Sequence, residues 1–235
     1  MHPSSTDVVV LCGGFGTRLQ PLFPDIPKVL APIGGEVFLD VLLRKLEENG
    51  FRKIVLCVGQ RRDQVKTYVI KKGYDGIIFS EEEEPLGTGG ALRHAMNAVD
   101  SETLLVLNGD TLAAIDFTLF LQSHEDRRAF LSFGLVKGSD LSKGGVSLDE
   151  EGFVREFKEK SHDSVLGYLS AGVYLCNRRI GDFFPQQDSF SLEGDVFPVL
   201  VEKERCFGFV MTEPFLEIGT PEGYIHAERI LGVDR

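Results

Sequence analysis

The sequence predicts an α/β fold: a mixed, mainly parallel central sheet covered by helices on both sides. Three observations predict it. Apolar runs of strand length alternate with segments of helical spacing through the first half of the chain. The first run, Val8 to Leu11, opens directly into a glycine-rich turn. Another, Leu104 to Leu107, ends in Asn108-Gly109-Asp110. In parallel sheets ligands bind at the carboxyl ends of strands, so two such turns can meet although far apart in sequence.

Val8 to Leu11 reads as a buried first strand. Phe38 to Glu48 places Phe38, Leu39, Leu42, Leu43 and Leu46 on one helical face. Lys53 to Val58 reads as the second strand, Gly76 to Ser80 as the third and Thr103 to Leu107 as the fourth. Gly90 to Val99 repeats the helical spacing with Ala91, Leu92, Ala95, Met96 and Val99. Past residue 125 the pattern changes. Ala129 to Val136, Gly145 to Leu148, Phe153 to Lys158 and Gly172 to Cys176 read as strands with few helices between them, expected to extend the sheet and roof the site. Thr220-Pro221 reads as an N-cap with proline at the first helical position, opening a terminal helix to about Leu231. No repeat, low-complexity tract or long linker interrupts the chain, so one mixed domain is expected.

At 235 residues, 43% of them hydrophobic, the chain can bury a substantial core. Its charge is −11, from 36 acidic and 25 basic residues. That argues against a nucleic-acid partner, which needs a basic face. It does not argue against a phosphorylated small molecule held by local cations. No apolar run reaches bilayer length, so no membrane partner is expected. Met1 to Asp7 lacks a basic region followed by an apolar one, so no secretory signal is expected and the localisation reads as cytoplasmic. Cys12, Cys57, Cys176 and Cys206 are widely spaced and read as free thiols of a reducing compartment. The run Glu81-Glu82-Glu83-Glu84 reads as a solvated loop. His2, His94, His124, His162 and His226 show no metal-ligand spacing, and none is assigned to catalysis. Oligomeric state stays open, a homo-oligomer included.

The chemistry begins at Gly13-Gly14-Phe15-Gly16-Thr17-Arg18-Leu19, followed by Pro27-Lys28. Three glycines in four positions allow close backbone approach to a ligand, and loop amides can point at phosphate oxygens. Arg18 adds a planar fork and Lys28 a flexible point charge. Together they suit a nucleoside triphosphate. Two better-known phosphate signatures fail. Leu19 stands where the dinucleotide fingerprint needs a third glycine, and no Gly-Lys-Ser/Thr follows the loop. The plainer reading of the loop alone is an ordinary strand-to-helix turn.

Several motifs in order carry a resemblance. Gly13 to Leu19 with Pro21 and Pro27-Lys28, then Glu84-Pro85-Leu86-Gly87-Thr88-Gly89-Gly90-Ala91, Leu107-Asn108-Gly109-Asp110, Glu159-Lys160, Ser170-Ala171-Gly172-Val173-Tyr174 and Glu217-Ile218-Gly219-Thr220-Pro221-Glu222 resemble the sugar-1-phosphate nucleotidyltransferases. The resemblance covers nearly the whole chain. Within the family it looks closest to the short guanylyltransferases acting on heptose 1-phosphate. Mannose-1-phosphate relatives usually carry an added C-terminal domain, whereas this sequence ends about a helix after the Glu217 motif.

The resemblance implies a Rossmann-like three-layer nucleotidyltransferase fold over residues 1–235, nucleotide in the N-terminal part and sugar in the C-terminal part. It implies transfer of a nucleotidyl group, GMP from GTP, to D-glycero-D-manno-heptose 1-phosphate, with release of pyrophosphate and with Mg2+ as cofactor. Leu11, Gly13, Gly14, Gly16 and Thr17, with Glu84, Gly87, Thr88 and Gly89, would hold the nucleotide. Arg18 would take the β- and γ-phosphates and Lys28 bridge toward the α-phosphate; the plainer reading of both is surface charge. Gly109, Gly145, Glu159, Lys160, Ser170 and Gly172 would hold the sugar phosphate, Lys160 gripping the phosphate and Glu159 the hydroxyls. Phe157-Lys158-Glu159-Lys160 also reads as a plain strand with alternating exposed charges. Asp110 and Glu217 would hold the metal; Asn108-Gly109-Asp110 also reads as a turn with no ligand.

Three departures bear on this. Glu217 stands where the family usually has an aspartate, Ser170 where an asparagine is common, and Gly144 where an aromatic often precedes glycine. The last two put the sugar in doubt more than the reaction. Mannose 1-phosphate as acceptor, UTP or dTTP as donor, and a catalytically weak nucleotide-sugar sensor stay as alternatives.

Overall fold

The computed structural model describes residues 1–14, 16–138, 145–158, 167–212 and 215–233. Its centre is a nine-stranded mixed sheet. β1 (Asp7–Leu11) lies between β4 (Ile54–Val58) and β6 (Thr103–Asn108), parallel to both, and β5 (Ile77–Glu81) continues the parallel set beyond β4. The long β11 (Tyr168–Asn177) pairs antiparallel with β6 and with β8 (Leu131–Lys137). β9 (Gly145–Leu148) and β10 (Val154–Lys158) extend that side, and β12 (Cys206–Val210) adds to β8 in parallel. Two small pieces stand off the sheet: the hairpin of β2 (Pro32–Ile33) and β3 (Glu36–Val37), and the pair of β7 (Thr111–Ala113) with β13 (Phe215–Glu217).

Strand alternation sorts the core into two faces. Val8 and Val10 of β1 belong to one buried cluster with α1 (Phe38–Glu48), α2 (Arg62–Lys72) and α4 (Phe117–Asp126). Val9 belongs to the other, with α3 (Gly87–Ala95) and α5 (Phe197–Lys203). The result is three layers, helices on both sides of a mainly parallel N-terminal half, as expected. A third, smaller core joins Leu19, Ile33 and Phe38 to Leu216, Ile218 and Ala227, the last on α6 (Pro221–Val233). Through it the segment after the glycine loop is packed against the segment that carries Glu217.

The differences from the sequence have local causes. α3 starts at Gly87, not Gly90, because the stretch is anchored from outside. Phe190 O accepts from Gly89 N–H at 2.9 Å, and the Phe190 side chain packs in the same buried cluster as Ala91 and Leu92. α2 was not legible as a helix: only Val65 and Val69 are buried on it, while its Ile70 is 69% exposed. α4 is opened by Asp116, whose carboxylate accepts from Leu119 N–H at 3.0 Å, an N-cap that the apolar pattern hides. The acidic run is not a solvated loop throughout. Glu81 ends β5, and Glu82 is 6% exposed.

Candidate active site

β1 and β6 are parallel neighbours in the register Leu11↔Asn108, so the glycine loop and Asn108-Gly109-Asp110 leave the same sheet edge side by side. They open on a cavity of about 440 Å3. Leu11, Gly13 and Gly14 line it from the first loop, Gly87 and Thr88 from the second, and Lys28, Gly109 and Asp110 from between. Of the expected nucleotide residues, Gly16, Thr17, Glu84 and Gly89 do not line this cavity. Glu84 faces an adjoining one of about 490 Å3, and Gly89 is buried. Arg18 is exposed, on a turn closed by Gly16 O accepting from Leu19 N–H at 2.9 Å and from Gln20 N–H at 3.1 Å. Leu19, 2% exposed, anchors that turn in the third core.

A residue missed by sequence reasoning is Glu82. It lines the cavity, and its Oε1 is buried without a hydrogen-bond partner among the described residues. Its Oε2 accepts from Leu86 N–H at 3.3 Å, and burial raises its pKa. The carboxylate lies against Gly13, where any Cβ would stand 2.7 Å from Oε1. The glycine is needed there for room. A run of four glutamates gives no hint of which one turns inward. Cys12, half-buried on the same wall, has its thiol pushed up to about 12 by burial and the nearby Asp110, so it stays protonated.

Thr88 holds the cavity wall through its hydroxyl, which donates to Glu193 Oε2 at 2.6 Å and accepts from Leu192 N–H at 2.8 Å. On the sugar side, Ser170 Oγ donates to the Tyr174 hydroxyl at 3.2 Å and accepts from Gly172 N–H at 3.3 Å. Gly172 sits at φ +66, and a Cβ there would stand 2.8 Å from Asn108 Nδ2. Asn108 Oδ1 is the second buried atom without a partner among the described residues. Ser170 and Gly172 thus back the cavity through Asn108 and do not line it. Gly145 opens β9, paired with Lys158 and buried. Glu159, Lys160 and Gly144 lie outside the described residues.

Asp110 and Glu217 converge. Glu217 pairs with Thr111 across β13 and β7, and Ile218 N–H donates to Asp110 O at 2.9 Å. A Cβ built on Gly219 would stand 2.7 Å from Glu217 Oε1 and 3.1 Å from Asp110 Oδ2, so both carboxylates face one point. Lys28 Nζ pairs with Asp110 Oδ2. The cavity therefore combines a glycine loop, a cation and the Asp110 carboxylate at one sheet edge, and Glu217, which does not line it, converges on Asp110 from beside it.

Comparison with known proteins decides what this arrangement belongs to. The nucleotidyl transferase family model matches residues 7–232. This chain belongs to the nucleotidyl transferase family. A D-glycero-alpha-D-manno-heptose 1-phosphate guanylyltransferase of Aneurinibacillus thermoaerophilus is 31% identical over 96% of this chain and 98% of its own length. One of the same description from Campylobacter jejuni is 34% identical over 93% and 96%. A mannose-1-phosphate guanylyltransferase of Mycobacterium tuberculosis is 34% identical over 99% of this chain and 67% of its own length. Among solved structures, HddC from Yersinia pseudotuberculosis complexed with GMP-PN superposes with a TM-score of 0.83 at 33% identity, covering 96% of this chain and 99% of that one.

Nucleotidyltransferases of this family generally use a divalent metal. The residues present fit one. Asp110 and Glu217 supply hard oxygen donors aimed at one point, and phosphate and water can complete such a set. Among the described residues no group of three or more His, Cys, Asp and Glu gathers. No helix among the described residues is long and apolar enough to cross a membrane.

Proposed function

We propose that this nucleotidyltransferase transfers GMP from GTP to D-glycero-D-manno-heptose 1-phosphate and releases pyrophosphate. An oxygen of the sugar phosphate forms a bond to the α-phosphorus as the bond to the pyrophosphate oxygen breaks. Both reactants are polyanions, so the protein's work is alignment and charge stabilisation. Lys28 shifts from Asp110 to the α-phosphate, and Arg18 swings in over the β- and γ-phosphates and the leaving group. Leu11, Gly13, Gly14, Gly16 and Thr17 cradle the triphosphate, with Gly87, Thr88 and Gly89 behind base and ribose. Lys160 holds the sugar phosphate and Glu159 the sugar hydroxyls, with Gly109, Gly145, Ser170 and Gly172 shaping that side. Asp110 and Glu217 hold Mg2+, which supplies positive charge to the phosphate oxygens when bound. The whole chain serves as one catalytic unit, in the cytoplasm, a setting consistent with its four free cysteines.

The observation that carries the guanine reading is Glu82. Glu82 lines the cavity, and its buried Oε1, without a partner among the described residues, calls for N–H donors. Guanine offers two adjacent ones, N1–H and the 2-amino group. Uracil and thymine offer one N–H flanked by two carbonyl oxygens, which a carboxylate repels. The guanylyltransferase descriptions of the relatives support the same reading. The heptose rests on those relatives, which match over nearly their full length. Mannose 1-phosphate is the second reading, favoured by the 34% identity to the mycobacterial enzyme. A matrix of GTP, ITP, UTP and dTTP against heptose, mannose and glucose 1-phosphates, read by pyrophosphate release, tests both. Release only with UTP or dTTP would overturn the guanine reading. Release with mannose but not heptose 1-phosphate would replace the sugar. A folded protein that binds GTP but releases no pyrophosphate with any acceptor would be a sensor.

A further inference from the structure

Glu82 is held from several directions, and one of the holders does not itself line the cavity of the glycine loop. Glu82 N–H donates to Val58 O at 2.8 Å, which ends the β4–β5 ladder. Leu86 N–H reaches Oε2, and Gly13 leaves room for Oε1. The main-chain carbonyl of Glu82 is tied as well. It accepts from Nη1 of Arg62 at 2.7 Å. Nε of the same guanidinium lies 3.6 Å from Glu81 Oε2. Arg62 is the first residue of α2 and lines the adjoining cavity, which shares Gly13, Glu82 and Pro85 with the first. The residue before it, Arg61, sits at φ 59, a left-handed conformation that side chains rarely adopt. Its own guanidinium donates to Pro24 O. The start of α2 is thus bent and tied so that a two-pronged cation meets the turn just past β5.

We infer that Arg62 is a positioning residue for base selection: its grip on the Glu82 carbonyl and the Glu81 carboxylate fixes the Glu82 side chain against Gly13, so that the pocket selects a purine presenting two adjacent N–H donors. This rests on the reading of Glu82 as the guanine-facing group. The guanidinium fork is suited to the task because it engages a carbonyl and a carboxylate at once with fixed geometry. Without it, Glu81 keeps its pairing with Lys66 at 2.6 Å, and β5 keeps its ladder to β4, so the fold stands. What is lost is the tie on the Glu82 carbonyl, while its N–H stays on Val58 O. A free peptide there lets the carboxylate turn, and a carboxylate that turns distinguishes poorly between a base with the 2-amino group and one without it.

The test is calorimetric titration of the full chain with Mg2+·GTP and with Mg2+·ITP, in the absence of sugar phosphate. ITP lacks only the 2-amino group. The wild-type protein is expected to bind GTP about tenfold or more tightly than ITP, the scale of one charge-assisted hydrogen bond. Arg62→Ala is expected to shrink that ratio at least threefold, mainly by weakening GTP, with an unchanged thermal midpoint. Arg62→Lys, which can still donate to the carbonyl, is expected to restore most of it. Should Arg62→Ala lose the fold, Arg62→Met, which keeps the apolar stem but no donor, reads the same ratio. A ratio unchanged in the folded variant, or equal weakening of both nucleotides, would reduce Arg62 to a strut and overturn the inference while leaving Glu82 intact. A wild-type ratio near one would instead remove the Glu82 reading, and this inference with it.

Discussion

The Lys28 ammonium is paired with the Asp110 carboxylate at the point toward which Glu217 also turns. A protein cation therefore neutralises the carboxylate that a metal would need. In the proposed reaction the triphosphate draws the ammonium away from Asp110, and that movement frees a carboxylate oxygen.

Two consequences can be measured on Lys28. Lys28→Gln should bind Mn2+ more tightly than the wild type in the absence of nucleotide, because the competing cation is gone. It should also lower turnover by about a hundredfold or more, since one missing charge stabiliser costs a few kcal/mol in the transition state. Manganese titration followed by electron paramagnetic resonance reads the first and pyrophosphate release the second. Weaker Mn2+ binding in the variant would mean that Lys28 does not compete for Asp110.

Glu217 carries the next prediction. Asp110→Asn and Glu217→Gln each keep the shape but remove a charge from a hard-cation site, and both should abolish metal-dependent turnover. Glu217→Asp shortens the reach by one methylene. With glutamate in place, a Cβ added at Gly219 would meet both Glu217 Oε1 and Asp110 Oδ2, so the longer side chain already reaches the Asp110 carboxylate. A backbone fitted to that reach should lose activity in the aspartate variant. A gain would show that the backbone suits the usual family residue after all.

Gly13→Ala should leave the fold standing and raise the KM for GTP much more than it lowers kcat. Its Cβ would stand 2.7 Å from Glu82 Oε1, the far end of a side chain that can turn aside. Thermal unfolding and steady-state kinetics separate the two effects. An unchanged KM would mean that the Glu82 carboxylate does not need its place against Gly13.

These residues mark what the sequence discloses and what it withholds. Val8 to Leu11, Thr103 to Leu107 and the helix from Phe38 to Glu48 were legible because they are buried runs with a clear period. The meeting of the glycine loop with Asp110 followed from parallel strands ending at one edge. Glu82 was hidden because burial at the edge of a charge run is decided by the β4–β5 ladder and by Gly13, neither of which leaves a trace in composition. Thr88 lines the cavity, and the partners that fix its hydroxyl, Glu193 and Leu192, lie about a hundred residues away, where no local pattern reveals them. Helix α2 failed for the opposite reason. Its mostly polar surface needs little burial, and it is fixed in part by Tyr68 and Lys72, which donate to the buried Asp40 at 2.6 and 2.7 Å.

The last prediction concerns acid stability and a histidine that the chemistry leaves aside. His124 of α4 is 4% exposed, its Nδ1 2.7 Å from Ser132 Oγ on β8. Burial lowers its pKa from 6.5 to about 4. A folded-state pKa below the unfolded one means that, between those two values, the unfolded chain binds a proton that the folded chain refuses. Stability therefore rises with pH through that window and falls as acid is added. The slope from this one group reaches at most about 1.4 kcal/mol per pH unit. Below about pH 4 both states are protonated and the loss levels off; above pH 6.5 both are neutral and the group is silent. His124→Gln keeps a polar partner for Ser132 but cannot titrate. Urea unfolding at pH 7, 5.5 and 4.5 should show the wild type losing stability faster than the variant across that range, the difference being His124 alone because the carboxylates are common to both. Parallel stability curves for the two proteins would mean that His124 takes up its proton in the folded state, and that the helix it sits on opens to water.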